Sequence, residues 1–369
     1  MNADFYIPTR LIFGEDALKR GRDFMLVGKH ALIVTGKRSA IACGALGDVT
    51  AILDASGIGY TIFDKITENP PLLICYEGGR LAREVGADLV IGIGGGSPLD
   101  AAKAIAAFAA NGELTPLDIY DAEKRKCPAL PLFAIPTTAG TGSEANFYSV
   151  LTLPNGKKKK TFKSPDCWFT AAFVDPRYTA TMPHETAIST ALDAFAHVLE
   201  SYLSPKATLF SEKAALFAGE KIYAVLKKQA PSLSDEDRRD LSLAATVAGA
   251  AISVTGTGFP HPLGYSITLF DGIPHGRACA VFEGDFISYN SRTPEGRERL
   301  QQFAAACGTT PDEMAALLPR LADVQLHLSD DEIKARVEYI LDAGNYVNSP
   351  YVLSENEIYD IYKARFGGN

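Results

Sequence analysis

Over the first half of the chain, short apolar runs alternate with segments of helical spacing. Residues 31–35 (ALIVT), 60–64 (YTIFD), 88–93 (DLVIGI) and 131–135 (PLFAI) have the length and β-branched or aromatic content of strands. Between them, residues 45–56 and 72–85 repeat apolar positions at helical spacing. Strands alternating with helices imply βαβ units and a parallel sheet. After Val174 the pattern changes. Residues 175–178 (DPRY) and 181–183 (TMP) read as a connector. From His184 onward the periodicity is helical, over 185–203, 207–229, 235–254 and on to the C-terminus. The expected architecture is an α/β domain over residues 1–183, built on a mostly parallel Rossmann-like sheet, followed by an all-helical domain over 184–369.

A length of 369 residues suits two domains, and a hydrophobic content of 47% suits a soluble globular protein of enzyme size. No run of ~20 apolar residues is present. The start, MNADFYIPTR, lacks the basic-then-apolar order of a secretory signal. Six scattered cysteines with no C-x-x-C pair read as reduced, mostly buried thiols. The expectation is a cytoplasmic protein without a membrane partner. A net charge of −8 argues against nucleic-acid binding.

Three stretches carry nucleotide chemistry. The run 88–93 leads into Gly94-Gly95-Gly96-Ser97-Pro98, and a helical pattern follows at once. Three glycines let a ligand approach the backbone, Ser97 reads as an N-cap before Pro98, and a helix N-terminus offers free N–H groups to an anion. A pyrophosphate is the simplest occupant. The stretch 136–144 (PTTAGTGSE) follows the next strand, and its hydroxyls suit a ribose or nicotinamide pocket. After the first strand comes Gly36-Lys37-Arg38-Ser39, where an NAD enzyme would carry a carboxylate for the ribose 2′-hydroxyl. Cations and a hydroxyl suit a 2′-phosphate better, which points to NADP over NAD. The lysine run 157–160, with Lys163, follows the turn-forming Pro154-Asn155-Gly156 and reads as a hairpin tip.

The second half holds a different kind of candidate. Asp193 and His197 are four residues apart in an apolar helical pattern, so they stack on one buried face. An ionisable pair in such a place needs a partner, each other or a metal. Four of the six histidines lie between 184 and 275. His261 and His275 would complete an Asp-His-His-His set, suited to iron(II) or zinc.

With these motifs the chain resembles the iron-containing (group III) alcohol dehydrogenases, in particular NADP-linked bacterial members. The matching stretches are 94–103 (GGSPLDAAK after Gly94), 136–144, 174–178 (VDPRY), Asp193-x3-His197 and His261-x13-His275-Gly276. The resemblance covers the whole chain. It implies that Asp193, His197, His261 and His275 hold the metal between the two domains, as Fe2+ or Zn2+. It implies that Gly96 and Ser97 hold the pyrophosphate, that Gly95 and Asp100 belong to the cofactor site, and that Thr137, Thr138 and Thr141 line the nicotinamide side. Asn69, Tyr148, Lys159 and Lys160 fall where the family makes further nucleotide contacts. Gly36, with Lys37 and Ser39, replaces the aspartate of NAD-linked members.

One departure stands out. Many members carry a further histidine four residues after the third ligand; here that place is Tyr265. A phenol has an ordinary pKa near 10, so Tyr265 relays the proton with a lowered pKa, or water does, or the substrate differs. Tyr265 and His261 are the expected catalytic pair. The reaction implied is hydride transfer between a primary alcohol and NADP, on a small alcohol or aldehyde, in a homodimer. A lyase of dehydroquinate synthase type and a non-catalytic nucleotide-binding protein are the competing readings. The substrate pocket is expected near Phe147, Phe259 and Phe270.

Overall fold

The computed structural model describes residues 5–156 and 158–368. The strands in chain order are β1 (Arg10–Phe13), β2 (His30–Thr35), β3 (Gly59–Phe63), β4 (Leu89–Gly94), β5 (Leu132–Pro136), β6 (Tyr148–Thr152), β7 (Lys159–Lys163) and β8 (Ala171–Val174). Six of them form one sheet in the order β1-β8-β5-β4-β2-β3, with every neighbouring pair parallel. β6 and β7 make the antiparallel hairpin that the Pro154-Asn155-Gly156 turn predicts, with Gly156 at φ +67°. Lys157 lies outside the described residues.

The inner strands β2, β4, β5 and β8 are buried on both faces, which is why β2, β4 and β5 read as continuous apolar runs. Alternate residues enter opposite cores. Leu32 and Val34 of β2, Val90 of β4, and Leu132 and Ala134 of β5 pack with the helices Leu72–Glu84 and Gly96–Ala110. Ala31 and Ile33, Leu89 and Ile91, and Phe133 and Ile135 pack with the helices Ala17–Gly21 and Ala45–Ala55. β1 and β8 have four residues each, too few to show a period in the sequence.

After His184 the main elements are helices, beginning with His184–Leu203, Leu209–Lys228 and Asp235–Thr255. Among the described residues, no single helix is long and apolar enough to cross a membrane.

The contacts divide the chain into two compact units. One comprises Tyr6–Ala187 with Pro231–Ser253; the other holds Ile188–Ala230 and the part from Val254 onward. The first unit thus takes most of the helix Asp235–Thr255, although that helix lies far down the chain. The reason is local. A Cβ at Gly249 would overlap the Gly142 carbonyl oxygen, so the helix sits directly on the loop after β5. Buried Glu144 accepts a hydrogen bond from Thr246 Oγ1 at 2.6 Å, and the Tyr148 hydroxyl donates to the Ser253 carbonyl at 3.3 Å.

Candidate functional site

The α/β unit gathers the three candidate nucleotide-binding stretches by topology. They follow β2, β4 and β5, which are adjacent in the sheet, so all three emerge side by side at the strands' carboxyl ends. The chain runs from β2 to β3 on one side and resumes at β4 on the other. That reversal is the switch point where open parallel sheets bind ligands.

The loops after β4 and β5 are fitted to one another. Thr137 N–H donates to the Gly94 carbonyl at 2.9 Å. A Cβ on Gly95 would lie 3.0 Å from Thr138 Cγ2, and one on Gly96 2.6 Å from Thr141 Cγ2. Gly94, at φ +151°, leaves a Cβ only 2.5 Å from Pro98 Cγ. The helix starts at Gly96 with Gly95 as N-cap, so Ser97 lies inside the first turn and is not the cap that its position before Pro98 implied. Without a side-chain cap, the first N–H groups stay open to an anion.

A buried ion network locks this arrangement. Lys103 is fully buried and its ammonium donates to Ser143 O and Oγ at 2.8 Å each and to Tyr148 O at 2.7 Å. Asp100 accepts from Ser143 Oγ at 2.6 Å and from Val150 N–H at 2.8 Å. Burial lowers the Lys103 ammonium and raises the Asp100 carboxyl, and each partner's charge opposes the shift in the other. Both Asp100 oxygens therefore have protein partners, and Asp100 ties the helix to β6.

Ser39, Thr137 and Thr138 line one pocket of about 270 Å³ together with Arg38, Tyr178 and Thr186. Gly36 and exposed Lys37 precede Arg38 in the chain and are not among the lining residues. Asn69 adopts φ +54° and its carbonyl accepts from Thr152 Oγ1 at 2.9 Å. Tyr148 opens β6 and Lys159 opens β7, while Lys160 Nζ stands 4.4 Å from the Tyr120 ring centroid.

The metal candidates lie in the helical unit, on three helices. His184–Leu203 carries Asp193 and His197; its last thirteen residues, 191–203, are all buried. Pro260–Asp271 carries His261 and Tyr265, and His275–Ala280 begins with His275. Glycines allow the approach. A Cβ on Gly276 would overlap the Ser189 carbonyl oxygen, and one on Gly264 would lie 2.9 Å from the Ala278 backbone. The result is convergence on one atom. Asp193 Oδ1 lies 3.9 Å from His197 Nε2, 3.9 Å from His261 Nε2 and 3.8 Å from His275 Nε2. Two donors each about 2.1 Å from one ion can stand no more than about 4.2 Å apart. All three separations meet that limit, and one carboxylate with three imidazoles is a donor set for iron(II) or zinc.

Three further groups were not legible as site residues in the sequence. Glu200 is fully buried, with His261 Nδ1 at 2.7 and 2.9 Å from its two oxygens, and it accepts the Gly258 N–H. A carboxylate there keeps the proton on Nδ1 and leaves the Nε2 lone pair for the ion. Glu283, equally buried, faces Glu200, and burial, with each carboxyl beside the other, raises both above the usual carboxylate range. Cys279 Sγ completes a tight quartet of donor atoms with Asp193, His261 and His275, all within 4.8 Å of one another. The signal was present as spacing for two of them: 193, 197 and 200 share one helical stripe, as do 275 and 279, whereas Glu283 opens the next helix.

The Tyr265 ring stacks on His275 with centroids 5.7 Å apart and meets His261 edge-on at 6.5 Å. Burial, then Cys279, Glu200 and Asp193, push its phenol up, opposite to the lowered pKa considered from the sequence. The expected aromatic pocket is also revised. Phe259 is fully buried and packs edge-on against Phe286 at 5.0 Å, so it belongs to the core. Phe270 is 45% exposed and packs on Tyr339, and Phe147 packs on Trp168.

The model of the iron-containing alcohol dehydrogenases matches residues 8–176, and that of the C-terminal part of the same family matches 187–366. The chain belongs to the iron-containing alcohol dehydrogenase family. The crystal structure of an iron-containing alcohol dehydrogenase from Thermotoga maritima superposes with TM-score 0.91 at 36% identity, covering 98% of this chain and 99% of that one. A sulfoacetaldehyde reductase from Bifidobacterium kashiwanohense, solved with NAD+, gives TM-score 0.87 at 25% identity over 99% of each chain. The NADPH-dependent butanol dehydrogenase of Clostridium saccharobutylicum is 28% identical over 96% of this chain and 92% of its own. This iron-containing alcohol dehydrogenase is a metal-dependent alcohol/aldehyde oxidoreductase.

Proposed function

We propose that the chain interconverts a small primary alcohol and its aldehyde with NADP in preference to NAD, and with Fe2+ as the resident ion. The single observation that carries this reading is the convergence of His197, His261 and His275 on the Asp193 oxygen. A bound divalent ion supplies Lewis-acid stabilisation of negative charge on the substrate oxygen, and NADP supplies the hydride acceptor. In this reading residues 1–183 carry the nucleotide and 184–369 the metal.

The chain's own residues bind, orient and move one proton. Gly95, Gly96 and Ser97 hold the pyrophosphate at the open helix end, with Asp100 bracing that helix from within. Lys37, Arg38 and Ser39 beside Gly36 take the 2′-phosphate, where an aspartate would repel it. Thr137, Thr138 and Thr141 line the nicotinamide side, and Asn69, Tyr148, Lys159 and Lys160 add outer contacts. Glu200 holds His261 in the tautomer that offers Nε2. Tyr265, stacked on His275, passes the carbinol proton outward through a neutral hydroxyl, which needs no phenolate. The enzyme is proposed to be a cytoplasmic homodimer.

The test is an anaerobic, iron-loaded preparation assayed with NADPH and NADH against a panel of aldehydes, before and after chelation. NADPH-favoured turnover that disappears with the metal and returns on reloading supports the reading. Full activity in metal-free protein would refute the role of Asp193 and the histidines.

A further inference from the structure

Glu283 opens the helix Glu283–Asn290 and is fully buried. Neither of its carboxyl oxygens has a hydrogen-bond donor among the described residues. Its polar neighbour is Glu200, another fully buried acid. Packing on both sides of the helix accounts for this placement. Phe286 stands three residues on, on the same helical face, and its Cε2 would lie 2.9 Å from a Cβ on Gly258. The Gly258 N–H is the group that Glu200 binds. On the far side, a Cβ on Gly284 would lie 2.9 Å from the Ala315 carbonyl oxygen, so the start of the helix is held against the helix Pro311–Ala322.

A carboxylate out of water, without a donor and beside a second carboxylate, is very costly. The two acids are not equivalent. Glu200 meets the Gly258 N–H and His261 Nδ1, whereas Glu283 has no donor. Asp193, a further charge felt by Glu200, has the same sign. The negative charge therefore belongs on Glu200, and a proton on Glu283 turns the repulsion into a hydrogen bond. Glu200 Oε1 has a lone pair to spare beyond the one that meets His261. We propose that Glu283 is a positioning residue: its carboxylic acid O–H donates to Glu200 and holds that side chain where it meets His261 Nδ1. Glu200 in turn fixes the ring that offers Nε2, so Glu283 acts on the ion through two side chains. The consequence for metal binding rests on the metal reading given above; the hydrogen bond between the two acids does not.

Infrared difference spectroscopy of the full wild-type chain against Glu283→Gln reads the hydrogen bond directly. The difference should contain the C=O stretch of a protonated carboxylic acid, shifted on exchange into D2O. A difference spectrum without that band overturns the proposal. Two substitutions then test positioning, with metal affinity measured by competition against a chelating dye. Glu283→Gln keeps the shape and an N–H donor toward Glu200, so its affinity should stay near wild type. Glu283→Leu fills the space without a donor and should bind the ion about tenfold more weakly, with an unchanged circular dichroism spectrum. Wild-type affinity in Glu283→Leu, or an equal loss in Glu283→Gln, overturns the positioning role. If Glu283→Leu does not fold, Glu283→Gln decides, since a loss of affinity there overturns the role and retention together with the infrared band supports it. A wild-type chain that takes up no metal refutes the metal reading, and the infrared band still decides the hydrogen bond.

Discussion

The candidate sites of the two units are built by opposite means. The α/β unit presents backbone: glycines at 94–96, a helix end without a side-chain cap, and loops that touch where a Cβ would collide. The helical unit presents side chains, one turn apart on three helices, aimed at a single carboxylate oxygen. A backbone site is damaged by adding atoms and a side-chain site by removing donors. The units should therefore fail separately, each to its own kind of substitution.

The largest effect is expected from Asp193→Ala. Losing the atom on which three imidazoles converge should lower kcat/KM at least about 10³-fold, equivalent to about 4 kcal/mol. Metal content should fall while NADPH binding, followed by fluorescence, stays. Parallel loss of both would break the comparison. Gly276→Ala is the informative exception, a backbone contact inside the side-chain site. The new methyl meets the Ser189 carbonyl, so unfolding should become easier by about 3 kcal/mol and metal occupancy should drop with it. Denaturant titration and metal analysis read the two together, and an unaltered midpoint would refute the packing argument. Glu200→Gln keeps the volume but weakens the hold on His261 Nδ1; metal affinity should fall about 10- to 100-fold. Competition with a chelating dye measures it, and wild-type affinity would show that His261 needs no orienting carboxylate. The smallest effect is assigned to Gly96→Ala. Crowding Thr141 should raise the NADPH dissociation constant about tenfold, near 1.4 kcal/mol, with metal content unchanged.

Legibility in the sequence divided along the same line. Buried parallel strands and the glycine turn after β4 leave local signatures, so residues 31–35 and 88–93 predict β2 and β4 to within a residue. The i, i+4 spacing exposed Asp193 and His197, and Cys279, read as a buried thiol, is one. Glu200 sits three residues beyond His197, and only the fold shows that it faces a histidine sixty-one residues away. Phe259 looked like pocket material because apolar content does not distinguish a wall from a core. Strands as short as β1 and β8 gain their structure from pairing with each other, which no window along the chain contains.

The helix Asp235–Thr255 gives this enzyme an order of assembly that differs from its order of synthesis. The loop carrying Gly142 is translated early but finds its packing partner only when Gly249 emerges from the ribosome. Until then the nascent dinucleotide fold waits with that loop uncovered, while helices of the other unit are already appearing. A fragment cut at the apparent end of the α/β region would lack this late-made piece, so expressing the halves as separate proteins should require carrying 231–253 with the first.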